Sequence, residues 1–139
     1  MPLKVGVTGS SKIVTAEQVA ALRELLSALK PAELHHGDCV QADFVAAVIA
    51  TEQGIWTVSH PPLDNKKRAY HVSSEILPAR EFLDRDRDIA RACDHLIAMP
   101  ASFHEVLRSG TWATIRYARA DGKAVTIILP DGRIESGNG

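Results

Sequence analysis

Two groups of residues that suit an anionic ligand flank one strand-like segment of the chain. Arg85 and Arg87 come before the apolar run 95–99, and Gly110 and Thr111 come after it at a predicted helix start. Arginine guanidinium groups bind phosphate through paired hydrogen bonds. A helix N-terminus adds free N–H groups and a favourable dipole. These four residues therefore predict an anion-binding site.

Acidic residues beside the two arginines allow a purely structural interpretation as well. Oppositely charged side chains often pair on an exposed helix face, and such pairs need no function. The acidic residues concerned are Asp84, Asp86 and Asp88. Spacing alone leaves both interpretations open.

Small and acidic residues follow the first two predicted strands. Gly9 and Ser10 end the first strand, where glycine lets the backbone approach a phosphate. Gly37 and Asp38 end the second strand, and Asp43 follows at the next helix start. Carboxylates there would accept hydrogen bonds from ribose hydroxyls or a base, although Asp43 would equally serve as a helix cap.

Histidine is the remaining residue type with useful chemistry. His60 ends the third predicted strand, where it could act as an acid or base, although a polar residue that ends a strand is also unremarkable. The other histidines considered match no HExxH or Cys/His spacing, so no metal site is predicted. They are His35, His36, His71 and His104.

Alternating strands and helices must position these side chains. Apolar runs predict strands at 3–7, 55–59, 95–99 and 124–129, and the segment 33–36 is a further strand candidate. Helical periodicity predicts helices from 15 to the proline at 31, at 42–53, at about 84–93 and at 110–120. Segment 63–80 has no clear period and is predicted as a long loop, with a brief strand or turn as the alternative. The pattern is typical of an α/β, Rossmann-like doubly wound domain, with a mainly parallel five-stranded sheet and helices on both faces.

Composition excludes several classes of protein. The chain has 139 residues and a net charge of -1, so we expect one domain over 1–132 and a flexible tail over 133–139. The charge balance makes nucleic-acid binding an unlikely function. The sequence has no apolar run near the ~20 residues of a membrane span and no signal-peptide core. Two cysteines make no disulfide framework, which favours a cytoplasmic location.

Four segments, taken in order, resemble the SLOG superfamily of Rossmann-like nucleotide-binding domains. This superfamily includes the LOG phosphoribohydrolases and the DNA-processing protein A family. The chain is most similar to small stand-alone bacterial and phage members with an HG-x-x-x-GAD and RN-x-x-I style pattern. In that pattern, Gln41 replaces a glycine and Asp86 replaces an asparagine. The matching segments are 6–10, 36–43, 85–89 and 110–111.

The resemblance implies a nucleotide pocket but departs from the LOG enzymes at one position. In those enzymes an arginine and a glutamate support cleavage of a base–ribose bond. The arginine matches Arg85, whereas the glutamate position falls on Thr114. Threonine cannot act as a carboxylate acid or base. Glu105 or Asp38 would then be the substitute catalytic carboxylate.

Two functions follow from these observations. The first is a sensor or binding module for a nucleotide or nucleotide-derived small molecule, with no further cofactor. The second is a nucleotide N-glycoside hydrolase or transferase with a rearranged catalytic acid. The resemblance also implies a homodimer or larger homo-oligomer. Trp112 and Tyr117 would either contribute to the subunit contact or, for Trp112, pack in the core.

Overall fold

The computed structural model describes residues 2–137 and places them in one sheet with helices packed on it. The strands are β1 Lys4–Gly9, β2 Glu33–His36, β3 Trp56–Ser59, β4 Glu75–Ile76, β5 His95–Met99, β6 Ala124–Ile128 and β7 Ile134–Gly137. The helices are α1 Ala16–Leu29, α2 Ala42–Glu52, α3 Phe82–Ala92 and α4 Gly110–Ala120. No helix in this part of the chain is long and apolar enough to cross a bilayer.

The sheet confirms the α/β class but has more strands than predicted. Its seven strands run in the order β4-β3-β2-β1-β5-β6-β7, and only the β6–β7 pair is antiparallel. The expectation of five strands was wrong because both edge strands lack an apolar run. β4 has two residues inside the unpatterned loop, and β7 has the sequence Ile-Glu-Ser-Gly.

β7 also corrects the prediction of a flexible tail. Residues 134–137 pair with β6 along their whole length, from Ile134 beside Ile128 to Gly137 beside Val125. A polar edge strand is ordered by backbone hydrogen bonds to its neighbour, so the polar composition of residues 133–139 does not reveal that a strand is present. The last two residues of the predicted tail lie outside the described part of the chain.

Two apolar clusters cover the two faces of the sheet. α1 and α2 pack on one face through Leu22, Leu26 and Ile49, against strand residues such as Val7. α3 and α4 pack on the other face through residues that include Ile89, Trp112 and Ile115. Trp112 is 5% exposed, which supports the core interpretation of this residue rather than a subunit contact.

The capping box that the sequence predicts at the start of α1 is confirmed, and its Gln18 also bonds to the ends of two strands. The Gln18 amide donates to Thr15 Oγ1 at 3.0 Å, and the Thr15 amide donates to Gln18 Oε1 at 3.0 Å. The buried Gln18 Nε2 donates to the carbonyls of Pro100 and Ile128 at 2.8 and 3.0 Å. Gln18 therefore joins the ends of β5 and β6.

The strand order creates a crevice at the end of β1. The chain builds β2, β3 and β4 outward on one side of β1 and then returns to form β5 on the other side. The connections that leave β1 and β5 consequently diverge to opposite faces. Open α/β sheets bind ligands where the strand order reverses in this way.

Gly9 ends β1 at a close approach of α2, which gives the first testable prediction. A Cβ at Gly9 would collide with Ala42 Cβ and lie 3.0 Å from the Met99 carbonyl oxygen. We expect Gly9→Ala to lower the free energy of unfolding by about 1–3 kcal/mol, the usual cost of overpacking. Urea denaturation would measure the change.

Gly110→Ala is the matched control for this prediction. A Cβ at Gly110 would meet only Asp86 Oδ2, at the ordinary contact distance of 3.7 Å. Equal unfolding midpoints for the Gly9→Ala variant and the wild type would contradict the close-approach explanation.

Candidate functional site at the carboxyl edge of the sheet

A cleft of about 890 Å³ opens at the carboxyl ends of β1 and β5. Its walls come from the end of β1 and the following turn, the start of α2, the first turns of α3, and the segment from Ala101 into α4. Lys67 reaches it from the long loop. The size is within the range of small-molecule sites, ~300–1,000 Å³.

Arg85 is the buried cation of this cleft. Only 7% of the residue is exposed to solvent. Its Nη1 donates to the Gly37 carbonyl at 2.9 Å. Nη2 donates to Cys39 Sγ at 3.4 Å, and the guanidinium carbon lies 4.9 Å from the centre of the Phe82 ring. A Cβ at Gly37 would collide with Arg85 Nη1, so the absence of a side chain there makes room for the arginine.

The Arg85 guanidinium lacks a complete set of partners. In the described part of the chain, no carboxylate forms an ion pair with it. Its Nε and the Trp112 Nε1 are both buried without a hydrogen-bond acceptor. A buried cation or N–H group without a partner is costly, and such groups need an explanation. An anionic ligand with acceptor oxygens would supply what these two cleft residues lack.

Two buried carboxyl groups lie near Arg85 and also line the cleft. Burial raises the pKa of Asp43 to about 7, even though the Arg85 charge and the Cys39 N–H both lower it. Burial likewise raises the pKa of Asp86 to about 6 against the lowering effect of Arg85. Near neutral pH these groups therefore carry less negative charge than two ordinary aspartates.

The rim of the cleft is cationic. Lys12, Lys67 and Arg108 line the cleft, and none of them forms an ion pair within residues 2–137. Arg116 also lines it, but Nη1 of Arg116 lies 2.6 Å from Glu105 Oε2. The charge available to a ligand therefore comes from Arg85 and the three rim cations.

The first turn of α4 contributes hydrogen-bond donors beside these cations. Ser109 is the N-cap, and its hydroxyl oxygen accepts from the Trp112 amide at 3.4 Å. The other first-turn amides, at Gly110 and Thr111, have no acceptor within a helix of this geometry. Both residues line the cleft, so the α4 N-terminus faces the space that a ligand would occupy.

Six of the predicted ligand-binding residues are brought together in this cleft. They are Gly9, Ser10, Asp43, Arg85, Gly110 and Thr111. The Ser10 hydroxyl oxygen accepts from the amides of Lys12 and Ile13 at 3.0 and 3.2 Å, which folds the turn after β1. Gly37 does not line the cleft and acts instead behind Arg85.

The two predicted catalytic carboxylates lie outside the cleft lining. Asp38 Oδ2 accepts from Arg68 Nε at 3.0 Å, and Oδ1 accepts from the His71 amide at 2.9 Å. Glu105 is half-exposed and paired with Arg116. Asp38 thus anchors the long loop through Arg68, and Glu105 holds the side chain of Arg116.

His60 and Arg87 do not line the cleft either. The His60 ring contacts His35, with Nε2 2.8 Å from Nδ1 of the neighbouring ring, and burial lowers the pKa of His60 to about 4. Arg87 projects from the other side of α3, where its guanidinium packs 4.8 Å from the centre of the Tyr117 ring. Helical geometry turns Arg87 about 200° from Arg85, so both cannot face one ligand.

Sequence reasoning did not assign the rim cations or Asp86 to the site. Lys67 belongs to the basic run 66–68 in a loop of no predicted structure, and Arg108 precedes the helix start by two residues. Their side chains reach the cleft through loop conformations that local periodicity does not encode. The basic run was the available indication for Lys67. Among residues 2–137, no group of three His, Cys, Asp or Glu side chains could hold a metal ion.

Known structures share this fold at low sequence identity. The molybdenum cofactor binding protein of the phototrophic bacterium Rippkaea orientalis has a TM-score of 0.72 and 18% identity, over 93% of this chain and 77% of that one. The structural-genomics protein TM1055 has a TM-score of 0.68 and 22% identity, over 90% of this chain and 72% of that one.

DNA processing protein A from Streptococcus pneumoniae has a TM-score of 0.70 and 21% identity over 91% of this chain. This chain spans half the length of that protein, 50%. No protein-family model matches the sequence, and no curated protein matches it. These likenesses are to the fold, and they agree with the fold that the SLOG resemblance implies.

The position that the resemblance assigned to a glutamate is occupied by a buried threonine. The Thr114 side chain does not line the cleft, and its hydroxyl donates to the Gly110 carbonyl at 2.9 Å. A carboxyl group nearby belongs instead to Asp86 on α3. The Thr114 hydroxyl is close enough to lower the pKa of Asp86 by hydrogen bonding, although burial raises that pKa by more. α4 thus presents its amide N-terminus to the cleft without a carboxylate of its own first turn.

The role of Asp38 as an anchor gives a second prediction. Asp38→Ala removes the acceptor of Arg68 and of the His71 amide. Because hydrogen bonds to a charged group contribute about 1.5–3 kcal/mol, we expect a loss of stability of that order. Limited proteolysis should cut the 63–80 loop faster in this variant than in the wild type.

Glu105→Gln serves as the control because both side chains of the Glu105–Arg116 pair are partly exposed to solvent. Exposed pairs contribute about 0–1 kcal/mol, so this variant should unfold like the wild type. An unchanged cleavage rate in Asp38→Ala would contradict the anchoring role.

Proposed function

We propose that the protein is a binding module for a nucleotide or nucleotide-derived small molecule that carries phosphate, held in the cleft between the ends of β1 and β5. The observation that supports this most strongly is Arg85, a buried cation in the cleft wall without a carboxylate partner among the described residues. A phosphate group would neutralise it and accept from its free Nε–H.

The surroundings of Arg85 support the same ligand class. The Ser10 turn, the α4 N-terminus and the rim cations present N–H, O–H and ammonium donors, all suited to phosphate oxygens. Phe82 and the exposed apolar side chains Leu83, Val106 and Leu107 line the cleft too, and would contact an uncharged part of the ligand such as a base. One structural neighbour is a molybdenum cofactor binding protein, which agrees with a small-molecule partner.

The N-glycoside hydrolase alternative has less support than binding. Both carboxylates predicted to replace the LOG glutamate are paired with arginines, and neither lines the cleft. A sensor or carrier needs only the donors that the cleft provides. We also propose a homo-oligomer in the cytoplasm, as the resemblance and composition imply, and light scattering of the purified protein tests the oligomer.

Substitution of Arg85 tests the proposal. Arg85→Met keeps most of the side-chain volume but removes the charge and every donor. Since a charge-assisted hydrogen bond is worth about 1.5–3 kcal/mol, we expect affinity for the bound nucleotide to fall at least about tenfold. Isothermal titration against nucleoside phosphates, cyclic nucleotides and ADP-ribose would measure the affinity.

The matched control for this titration is Arg87→Met. Arg87 lies on the same helix but does not line the cleft; its guanidinium packs on the ring of Tyr117, behind that residue's contact with the cleft. This variant should bind like the wild type. Absence of binding by the wild type to the whole panel, or equal affinity in Arg85→Met, would refute the proposed function.

The raised pKa values of the cleft carboxyls predict a pH dependence of binding. Above pH 6 to 7 the carboxyl groups of Asp86 and Asp43 lose their protons and place negative charge beside the ligand phosphate. Affinity should therefore weaken from pH 6 to pH 8 through this effect, while ionisation of the ligand's own phosphate acts in the opposite direction.

Asp86→Asn separates the two effects because it leaves the ionisation of the ligand unchanged. We expect this variant to bind more tightly than the wild type at pH 8 and about equally at pH 5.5, measured by titration in buffers of matched ionic strength. A ratio of affinities that stays constant with pH would exclude a contribution from Asp86.

A further inference from the structure

Histidines outside the cleft lining join the long loop 63–80 to the end of β2. His36 ends β2 and is fully buried, and His71 of the loop is partly buried. The hydroxyl of Ser73 lies between them, with its Oγ 2.8 Å from His36 Nε2 and 2.8 Å from His71 Nδ1. These three residues do not line the cleft. We refer to His36, Ser73 and His71 as the histidine latch.

The neighbours of His36 determine which of its ring nitrogens carries the proton. Nδ1 accepts from the Asp38 amide at 3.0 Å, so this nitrogen carries no hydrogen. In a neutral imidazole the other nitrogen is then the donor, and Nε2 donates to Ser73 Oγ. The hydrogen of the Ser73 hydroxyl is thereby available for His71 Nδ1. The histidine latch is therefore a directional chain of hydrogen bonds from β2 to the loop.

A second proton on His36 would break this chain. Only Nδ1 can take it, and there the new N–H group would point at the N–H group of Asp38. Two donors that face each other in a buried place both lose their hydrogen bond, which is costly. The ring is 0% exposed, so water does not supply a replacement acceptor. The closed latch therefore requires a neutral His36.

The charged groups around His36 act in the same direction. Burial is the main cause that lowers the pKa of His36 to about 3, and positive charge on four neighbouring side chains lowers it as well. These neighbours come from β2, the end of β3, the loop and α3; they are His35, His60, His71 and Arg85. The nearby carboxylate of Asp38 is already bonded to Arg68 and to the His71 amide.

The adjacent pair of histidines differs from the latch in this respect. His35 Nδ1 and His60 Nε2 lie 2.8 Å apart and share one hydrogen, and His35 Nε2 donates to Glu33 Oε1 at 2.9 Å. A proton added at His60 Nδ1 breaks none of these bonds. Burial lowers the pKa of His60 to about 4, while the charge of Asp88 acts in the opposite direction. His36 is thus the histidine whose protonation removes a bond to the loop.

From this chain of bonds we infer that the histidine latch is an acid-sensitive device, which holds the loop 63–80 on the sheet while His36 is neutral and releases it when His36 is protonated. The loop is also attached next to the latch, where the Asp38 carbonyl accepts from the Ala69 amide at 2.7 Å. Because the loop brings Lys67 to the cleft, its release withdraws that lysine from the cleft wall. The inference goes beyond nucleotide binding, and its test needs no ligand.

The two states of His36 determine the pH range of the release. In the released loop the ring is solvated and has the ordinary histidine pKa of ~6.5. Because the pKa in the closed latch is lower, the latch is fully stable above pH ~6.5 and loses stability as the pH falls below that value. Between pH 7.5 and pH 5.5, one such histidine raises the population of the released loop about tenfold.

Amide hydrogen exchange at pH 7.5 and pH 5.5 measures this release. Each measured rate is divided into the intrinsic rate at the same pH, which gives a protection factor. We expect protection in the loop, including the amides of Ala69 and His71, to fall at least about tenfold at the lower pH. The amides of β1 should remain more strongly protected than those of the loop at both pH values, because the loop opens without unfolding of the sheet.

Variants identify the histidine responsible. His36→Gln removes the titrating ring and keeps a side-chain donor, and we expect it to reduce the ratio of loop protection between the two pH values about tenfold relative to the wild type. His95→Gln is the matched control, because His95 is a partly buried histidine on β5, bonded to Thr126 at 2.7 Å. This variant should keep the wild-type ratio within about twofold.

Ser73→Ala tests the latch by a second route, without altering a histidine. It removes both bonds of the Ser73 hydroxyl and should lower loop protection at pH 7.5 about threefold or more. Circular dichroism shows whether each variant is folded, and Ser73→Ala provides the decisive measurement if His36→Gln is not. Unchanged loop protection in Ser73→Ala would overturn the inference.

Two further results would also overturn it. The first is equal loop protection at pH 7.5 and pH 5.5 in the wild type. The second is a wild-type ratio in His36→Gln together with a reduced ratio in His60→Gln, which would assign the proton to the neighbouring pair. These results leave the proposed nucleotide binding untouched, because they are measured on the free protein.

Discussion

The contact between the Arg85 guanidinium and the Gly37 carbonyl is the constraint on which the ligand edge of this protein depends. It joins α3 to the end of β2 across the buried side of the cleft, with Asp43 close by. A side chain at position 37 would occupy the place of the guanidinium. Glycine at the strand end is therefore required by a long-range contact, in addition to any turn that it permits.

This contact has a cost in stability that the proposed binding function would account for. Burial of a cation without an ion-pair partner destabilises the folded chain, and removal of such a group often stabilises a protein. The nearby carboxyl groups offset this only in part, because burial also raises the pKa values of Asp43 and Asp86. Arg85 thus keeps a buried Nε–H without an acceptor in the cleft wall.

The sequence predicts the central strands, the helices and the glycine–arginine pieces of the site because these depend on local patterns. Val5 and Leu96 lie in apolar runs that are typical of a covered strand, and the spacing of Thr15 and Gln18 predicts the helix cap that they form. The misassigned parts depend on distant partners. The anchoring role of Asp38 is not visible from local spacing, because its partner Arg68 lies 30 positions further along the chain. β7 likewise acquires its order by pairing with β6.

The distribution of carboxylates bears on the choice between binding and catalysis. A hydrolase of a base–ribose bond needs a carboxyl group that reaches the reacting atoms and changes its protonation during the reaction. In this chain the α4 position is a buried threonine, and the accessible acidic residue Glu105 is held by Arg116. The carboxyl groups that do line the cleft, on Asp43 and Asp86, lie close to Arg85, where they moderate its charge. The carboxylates predicted as catalytic are thus committed to arginines elsewhere, and the proposed anion binding depends on Arg85 and on the ionisation of Asp43 and Asp86.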